Sequence, residues 1–282
     1  MNKPSAIKTV KRIFFGLLVL LILFVMLFPI VAMISVSLKQ ANEVFTVPVT
    51  WIPKKPAWEN YPAVFSKMKM TTGFLNSILI TAASIGGIML LGIPAAFALS
   101  KLRFVLKKPV YYMVLVSQMF APVIVIIPLY SLMNRMGLID SRLSLVIMNI
   151  TFNLAFIVLM LKATFDSVPK ETVEAAKIDG CNSFMTLVWI FVPISRTGIA
   201  VAIIYAFTRS WNEFLFAFTF MSSTEKKTII VSLYEVLKNN PAVGIPWHLV
   251  MAGAVCATVP LVVLFILIRN YITGNATAGA VK

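Results

Sequence analysis

The sequence predicts an all-α polytopic membrane protein with six transmembrane helices and a helix–turn–helix loop outside the bilayer. Three observations carry this expectation. The chain is 60% hydrophobic and only 12% charged, far from the composition of a soluble domain. Its apolar residues gather into six runs near the length of about 20 residues that a helix needs to cross a bilayer. One segment between the runs, residues 163–195, is long, charged and helix-forming. A net charge of +15 would suggest nucleic acid in a soluble protein. In a membrane protein Lys and Arg collect in loops, where they set orientation and meet anionic lipid. The expected partner is therefore the lipid bilayer and not nucleic acid.

A single transmembrane domain is expected over 1–282, with spans at 13–38, 74–100, 109–131, 143–161, 198–221 and 248–268. The first follows Lys3, Lys8, Lys11 and Arg12. A secretory signal begins similarly, but its apolar region is shorter and a small-residue cleavage site follows it. This run reads instead as a spanning helix with Pro29 as a kink. Residues 39–73 form a polar loop holding Trp51-Ile52-Pro53 and Glu59-Asn60-Tyr61, aromatic types that favour the membrane interface. Gly86-Gly87 and Pro94 mark places in the second span where backbones can approach or bend. Lys101, Arg103, Lys107 and Lys108 then crowd a short loop, the clearest positive-inside mark in the chain. Span three contains Gln118, Pro122 and Pro128, and the external loop 222–247 contains Pro241 and Pro246. Six spans place both termini on one side. The Lys/Arg balance assigns that side, with loop 163–195 and the tail 269–282, to the cytoplasm.

Within loop 163–195, Val168-Pro169 marks a helix start, since the missing proline N–H is no loss in a first turn. Glu171 and Glu174 fall near the helix N-terminus, where the backbone dipole favours negative charge. Ala175 and Ala176 are small enough for a partner surface to approach. Gly180 suits a left-handed C-cap. Asn182 or Ser183 then caps a second short helix carrying Phe184, Leu187, Val188 and Phe191, expected to stop before Pro193.

No catalytic constellation stands out. His248 is the only histidine, Cys181 and Cys256 lack metal-ligand spacing, and no G-x-x-x-x-G-K-[S/T] phosphate loop is present. Polar residues inside the spans are more informative, because burying them in hydrocarbon is costly. Asn149 and Asn153 lie one helical turn apart, with Phe156 and Met160 continuing that face. Arg209 and Glu213 are also four apart. A mid-span charge costs about 2.5–3.5 kcal/mol on insertion scales, so these two are expected to pair. Packing within the bundle and contact with a solute are both open for these residues.

Glu174-Ala175-Ala176, three residues, Gly180, nine residues, Ile190, one residue, then Val192-Pro193 resembles the EAA loop of binding-protein-dependent ABC importer permeases. Only the usual leucine before the proline is changed, to Val192. Trp211-Asn212-Glu213-Phe214 is similar to a W-N-E-F signature of sugar-type permeases, and the W-I-P and E-N-Y patterns recur there. Thr277-Ala278-Gly279-Ala280-Val281-Lys282 resembles the tail of maltose-type permeases. The resemblance covers essentially the whole chain and points to the carbohydrate-uptake (maltose-type) group.

It implies the transmembrane subunit of an ATP-driven sugar or oligosaccharide importer in a bacterial or archaeal cytoplasmic membrane, not itself an enzyme. The implied partners are a second homologous permease, an ATPase dimer that binds ATP and Mg, and an extracytoplasmic solute-binding protein. No cofactor is implied in this chain. Glu174, Ala175, Ala176, Asp179, Gly180, Ile190 and Pro193 would couple to the ATPase, and Thr277, Ala278, Gly279, Ala280 and Val281 would reach between its subunits. Gln118, Asn149, Asn153, Tyr205, Arg209, Trp211, Asn212 and Glu213 are candidates for the solute path, since amides pair with sugar hydroxyls and ring faces stack on pyranose C–H faces. Arg209 also raises the idea of an anionic cargo, against which stands its pairing with Glu213. A secondary transporter or channel for a polar solute is the alternative, and it would need no loop of this spacing.

Overall fold

In hydrocarbon a backbone amide has no partner except its own helix, and the long apolar runs of this chain form helices accordingly. The computed structural model describes residues 6–67, 70–238 and 244–273, and no strand occurs among them. The principal helices in chain order are α1 (Ala6–Ser37), α2 (Asn60–Lys67), α3 (Met70–Lys101), α4 (Lys107–Ser117), α5 (Ile126–Arg135) and α6 (Arg142–Asp166). They continue with α7 (Glu171–Ile178), α8 (Ser183–Ile194), α9 (Arg196–Trp211), α10 (Leu215–Phe220), α11 (Ile229–Lys238) and α12 (Trp247–Thr273). Segments Lys11–Ser37, Met70–Lys101, Arg142–Asp166 and Trp247–Arg269 are each long and apolar enough to cross a membrane. The bent pair Ser183–Ile194 and Arg196–Phe220, meeting at 84°, makes a fifth when taken as one span.

The run expected as a third span, 109–131, is interrupted. Helix α4 stops at Ser117, and α5 resumes only at Ile126. Pro122 has no N–H and its ring would crowd the carbonyl four residues back, which favours a break here, although α1, α3 and α12 carry Pro29, Pro94 and Pro260 within them. Pro128 causes no such break, because it sits in the first turn of α5, where an amide N–H has no intrahelical partner anyway. The run expected at 198–221 is likewise divided between α9 and α10.

The described residues fall into two compact units, 6–67 with 235–238 and 244–256, and 70–234 with 257–273. In the first, Asn60 of the E-N-Y pattern closes the end of α1. Its side-chain amide donates to the carbonyls of Ser37 and Lys39, both at 2.8 Å, and Tyr61 Oη lies 2.9 Å from Ser37 Oγ. These bonds satisfy carbonyls that a helix C-terminus leaves orphaned. Trp51 of the W-I-P pattern packs its ring 5.4 Å from Phe28, and its carbonyl accepts from Ser35 Oγ.

In the second unit α3 runs against α6, and α9 packs on both. At Gly87 α3 comes close to α6, since a Cβ there would lie 2.4 Å from Ile150 Cδ1, whereas Gly86 faces open space. The core joins Ile88, Ala96 and Phe97 of α3 to Ile157, Leu161 and Phe165 of α6 and to Ala202 and Ala206 of α9. A second apolar cluster, with Ile80, Leu145, Met148, Phe216 and Phe220, lies where α10 meets α6. Beside it Asp140 clasps two loops. Its backbone is left-handed (φ 57) and its N–H donates to Phe220 O at 2.9 Å. Its carboxylate accepts from the N–H groups of Ser222 and Ser223, both at 3.0 Å, from Ser223 Oγ at 2.5 Å and from Lys226 Nζ at 3.1 Å.

Those donors, the Ser223 hydroxyl foremost, hold the Asp140 carboxyl well below the ordinary value of 3.8. A depressed carboxyl pKa stabilises the fold above the unfolded value and loses that contribution as pH falls. Asn tolerates the same left-handed backbone, so Asp140→Asn isolates the charge. The difference in thermal midpoint between wild type and Asp140→Asn is expected to be constant above about pH 5 and to shrink as pH drops below 3.8. A difference that does not vary with pH would remove the carboxylate from this role.

Candidate functional site

The loop between α6 and α9 is built by short-range rules. Helix α7 carries Glu171 and Glu174 in its first turn and ends at Gly180, whose φ is +81. There Cys181 N–H donates to Ala176 O at 2.9 Å and Gly180 N–H to Lys177 O at 3.1 Å, the paired bonds of a Schellman cap. The spacing from Ala176 to the glycine is thus the spacing that closes this cap. Ala176 is buried while Glu174, Ala175 and Asp179 are exposed. Asn182 caps α8, its side-chain oxygen accepting from Met185 N–H at 2.8 Å.

Helix α8 does not stop before Pro193 as expected. Residues Thr186–Phe191 form a wider π turn, and the helical backbone continues through Ile194. The widened turn displaces the carbonyl that a proline ring would strike. Ile190 is half-buried and Pro193 exposed. The loop is rooted by Phe191, fully buried against Phe97 of α3 at 5.0 Å and Phe165 of α6 at 5.8 Å between ring centroids. Lys101 Nζ lies 5.7 Å from the Phe191 ring centre and donates to Val168 O at 2.6 Å. Apolar residues elsewhere on the loop are open: Ile178 is 86% exposed, Phe184 71% and Trp189 75%. Sequence reading missed Phe97 and Phe165, because nothing local separates them from the other aromatic residues of apolar runs.

The polar residues inside the spans are distributed differently from the expectation. Asn149 and Asn153 are both buried on α6, and Asn153 Nδ2 donates to Asn149 O at 2.8 Å. Trp211 is buried, its indole N–H donating to Ala257 O at 3.0 Å and its ring stacked on Phe207. The expected Arg209–Glu213 pair is absent among the described residues. Glu213 instead accepts from Phe216 N–H at 2.7 Å and Ala217 N–H at 3.0 Å. The break after Trp211 leaves the first amides of α10 without partners, and the nearest carboxylate satisfies them. Arg209 is exposed, as are Gln118 and Asn212, and Asn212 Nδ2 bonds Thr208 O at 2.9 Å. Tyr205 is half-buried and stacks on Phe156 with centroids 4.2 Å apart. Thr277, Ala278, Gly279, Ala280 and Val281 lie outside the described residues.

Residues 88–275 match the family described as the binding-protein-dependent transport system inner membrane component. The chain belongs to that family. This transport component is similar to the inner membrane ABC transporter permease protein YcjP of Escherichia coli K12, 31% identical over 277 residues and 98% of each chain. It is also similar to the sulfoquinovosyl glycerol transport system permease protein SmoH of Agrobacterium fabrum. That identity is 29% over 256 residues, 91% of this chain and 89% of the relative. Its fold matches a crystal structure of a bacterial ABC transporter involved in import of the acidic polysaccharide alginate. The TM-score is 0.84 at 21% identity, with 96% of this chain and 99% of that chain covered. Its long apolar helices and its family make it a multi-pass inner membrane protein.

No atom lies within 4 Å of the Cβ that an alanine would place at Gly180, so substitution there is opposed by backbone conformation alone. Gly180→Ala is expected to destabilise the α7 cap by about 1–2 kcal/mol, with Gly180→Asn milder. Hydrogen exchange of the Gly180 and Cys181 amides checks this, and equal protection in all three proteins would contradict it.

Proposed function

We propose that this permease is the transmembrane subunit of an ATP-driven importer of sugars or oligosaccharides, forming half of the translocation path. A second homologous permease forms the other half, a solute-binding protein delivers cargo from outside, and a separate ATPase dimer binds ATP and Mg. The reading places both termini in the cytoplasm of a bacterial or archaeal cell. The observation that carries it is the α7–α8 loop, which exposes Ile178, Phe184 and Trp189 and buries Phe191 among α3 and α6. An exposed apolar patch on a polar loop suits a protein partner.

Glu174, Ala175, Ala176, Asp179, Gly180, Ile190 and Pro193 build or flank the surface that meets the ATPase. Closure of the ATPase dimer moves this loop. A close-packed root does not deform continuously, so α3 and α6 follow it. ATP thereby favours one state of the spans by its differential affinity. Thr277 to Val281 would extend between the ATPase subunits.

Carbohydrate cargo is supported by the family membership together with the sugar glycoside in the name of the relative SmoH. Among the path candidates, Gln118, Tyr205, Arg209 and Asn212 are the ones offered to solute, being exposed or half-buried. Asn149, Asn153, Trp211 and Glu213 border the path and hold its frame through the hydrogen bonds described above. With Glu213 engaged at α10, Arg209 is free of that pairing and suits an acidic sugar.

Two experiments test this. Tagged wild-type protein in mild detergent is expected to bring down an ATPase and a second permease, whereas Gly180→Pro, which cannot adopt positive φ, loses the ATPase alone. Wild type that purifies alone and moves solute without ATP would instead make this a secondary transporter. In transport assays Arg209→Gln is expected to reduce uptake of an acidic oligosaccharide about tenfold relative to a neutral one. Equal effects on both cargoes would rule out the anionic preference.

A further inference from the structure

Between the end of α3, the start of α4 and the α7–α8 loop lies a cavity of about 590 Å³. Lys101, Arg103, Lys107, Lys170 and Lys177 line it, with Glu174 as the one carboxylate among the lining residues. Among the described residues none of these five cations makes an ion pair. The adjacent carboxylate, Asp166, is already engaged by Lys162 Nζ and by Ser100 Oγ, each at 2.6 Å. Lys107 Nζ donates to the carbonyls of Ser100 at 3.1 Å and Leu102 at 3.0 Å. An ammonium has three donors, so one remains. Burial pushes the Lys107 ammonium down from its ordinary value, and repulsion from Lys162, Lys170 and Arg103 adds to this against Asp166. Carbonyl dipoles orient these cations without neutralising them.

The cavity sits where α3 ends, α4 begins and α6 ends, the height at which spanning helices leave hydrocarbon. Tyr111 and Tyr112 stand on the first turns of α4, and Tyr112 is exposed, as suits a residue at the headgroup level. Basic pockets between spans at this level take anionic headgroups.

We propose that this cavity binds a phosphate group, carried by an anionic phospholipid headgroup or taken from solution. Arg103 from the α3–α4 turn and Lys177 from α7 supply charge-assisted hydrogen bonds to its oxygens, and Lys101 and Lys107 add their free N–H donors. Bound there, the anion ties the α3–α4 turn to α7, so the position of the loop depends on it. The cavity shares Glu174 with the surface proposed to meet the ATPase, and cysteine alkylation reads anion binding there without sugar or ATPase.

Cys181 lines the same cavity and reports on it without any change of charge. The full chain carrying Cys256→Ser is reacted with a neutral maleimide in detergent. One arm compares added phosphatidylglycerol with phosphatidylcholine, and the other compares inorganic phosphate with chloride at equal ionic strength. Slower alkylation of Cys181 with phosphatidylglycerol alone assigns the lipid headgroup, and slower alkylation with inorganic phosphate assigns the soluble anion. Either protection is expected to disappear in Arg103→Gln/Lys177→Gln protein. Where phosphatidylglycerol is the protecting ligand, native mass spectrometry is expected to show at least about tenfold less of it retained by that variant. Lys54→Gln/Lys55→Gln serves as a charge-matched control and keeps both. Alkylation that neither anion slows, or protection undiminished in the Arg103/Lys177 variant, overturns the proposal.

Discussion

Three aromatic rings from three separate stretches of chain, Phe97, Phe165 and Phe191, meet edge to face with centroids 5.0–6.4 Å apart. Edge-to-face contact aligns ring quadrupoles and adds about 0.5–1.5 kcal/mol per pair to the gain from burial. No backbone hydrogen bond could do the same work, since each helix consumes its own. The polar loop therefore grips the bundle through side-chain packing. Lys101 borders the joint, its ammonium near the Phe191 ring and bonded to Val168 O. Everything proposed for the loop as a transmitter depends on this root being stiff.

The opposite demand governs the interrupted helices. A break within an apolar stretch frees amides and carbonyls that lipid cannot satisfy, so a break survives only where side chains supply partners. Between α9 and α10 the W-N-E-F residues do so: Glu213 takes two amides of α10, and Trp211 anchors the end of α9 to Ala257. Their chemistry is polar because the backbone there is unwound. Polarity inside a span thus has two origins, and solute contact is only one of them. Asn212 also donates to Thr208 O at the end of α9, and it and Arg209 remain the exposed pair beside the break.

At the loop end of the bundle the same helix-end chemistry concentrates charge. Positive residues that would separately be read as orientation signals are drawn around one cavity by the turn between α3 and α4 and by α7. Orientation needs only that such residues stay on one side of the bilayer. Their convergence, with Glu174 the one carboxylate in the lining and no ion pair to it among the described residues, is an additional property of the fold.

The sequence by itself determined whatever depends on neighbours along the chain. Runs of apolar residues determined α1, α3, α6 and α12, because hydrophobic length decides which segments leave water. Gly180 after Ala176 determined the left-handed cap, because φ is a property of one residue and its two flanking peptides. Pro122 carried the signal for the break after Ser117, yet a proline also fits a kinked span, and only the fold resolved the difference. Tertiary structure alone decided the partners. Arg209 and Glu213 at helical spacing could have paired, but the end of α9 turned the carboxylate toward α10. Trp211 could have faced solute, but Ala257 offered its indole an acceptor. Lys101 and Lys177 share a cavity that no local pattern announces. Hydrogen bonds and ion pairs act over about 3–4 Å, and which groups come within that reach is set by how distant segments pack.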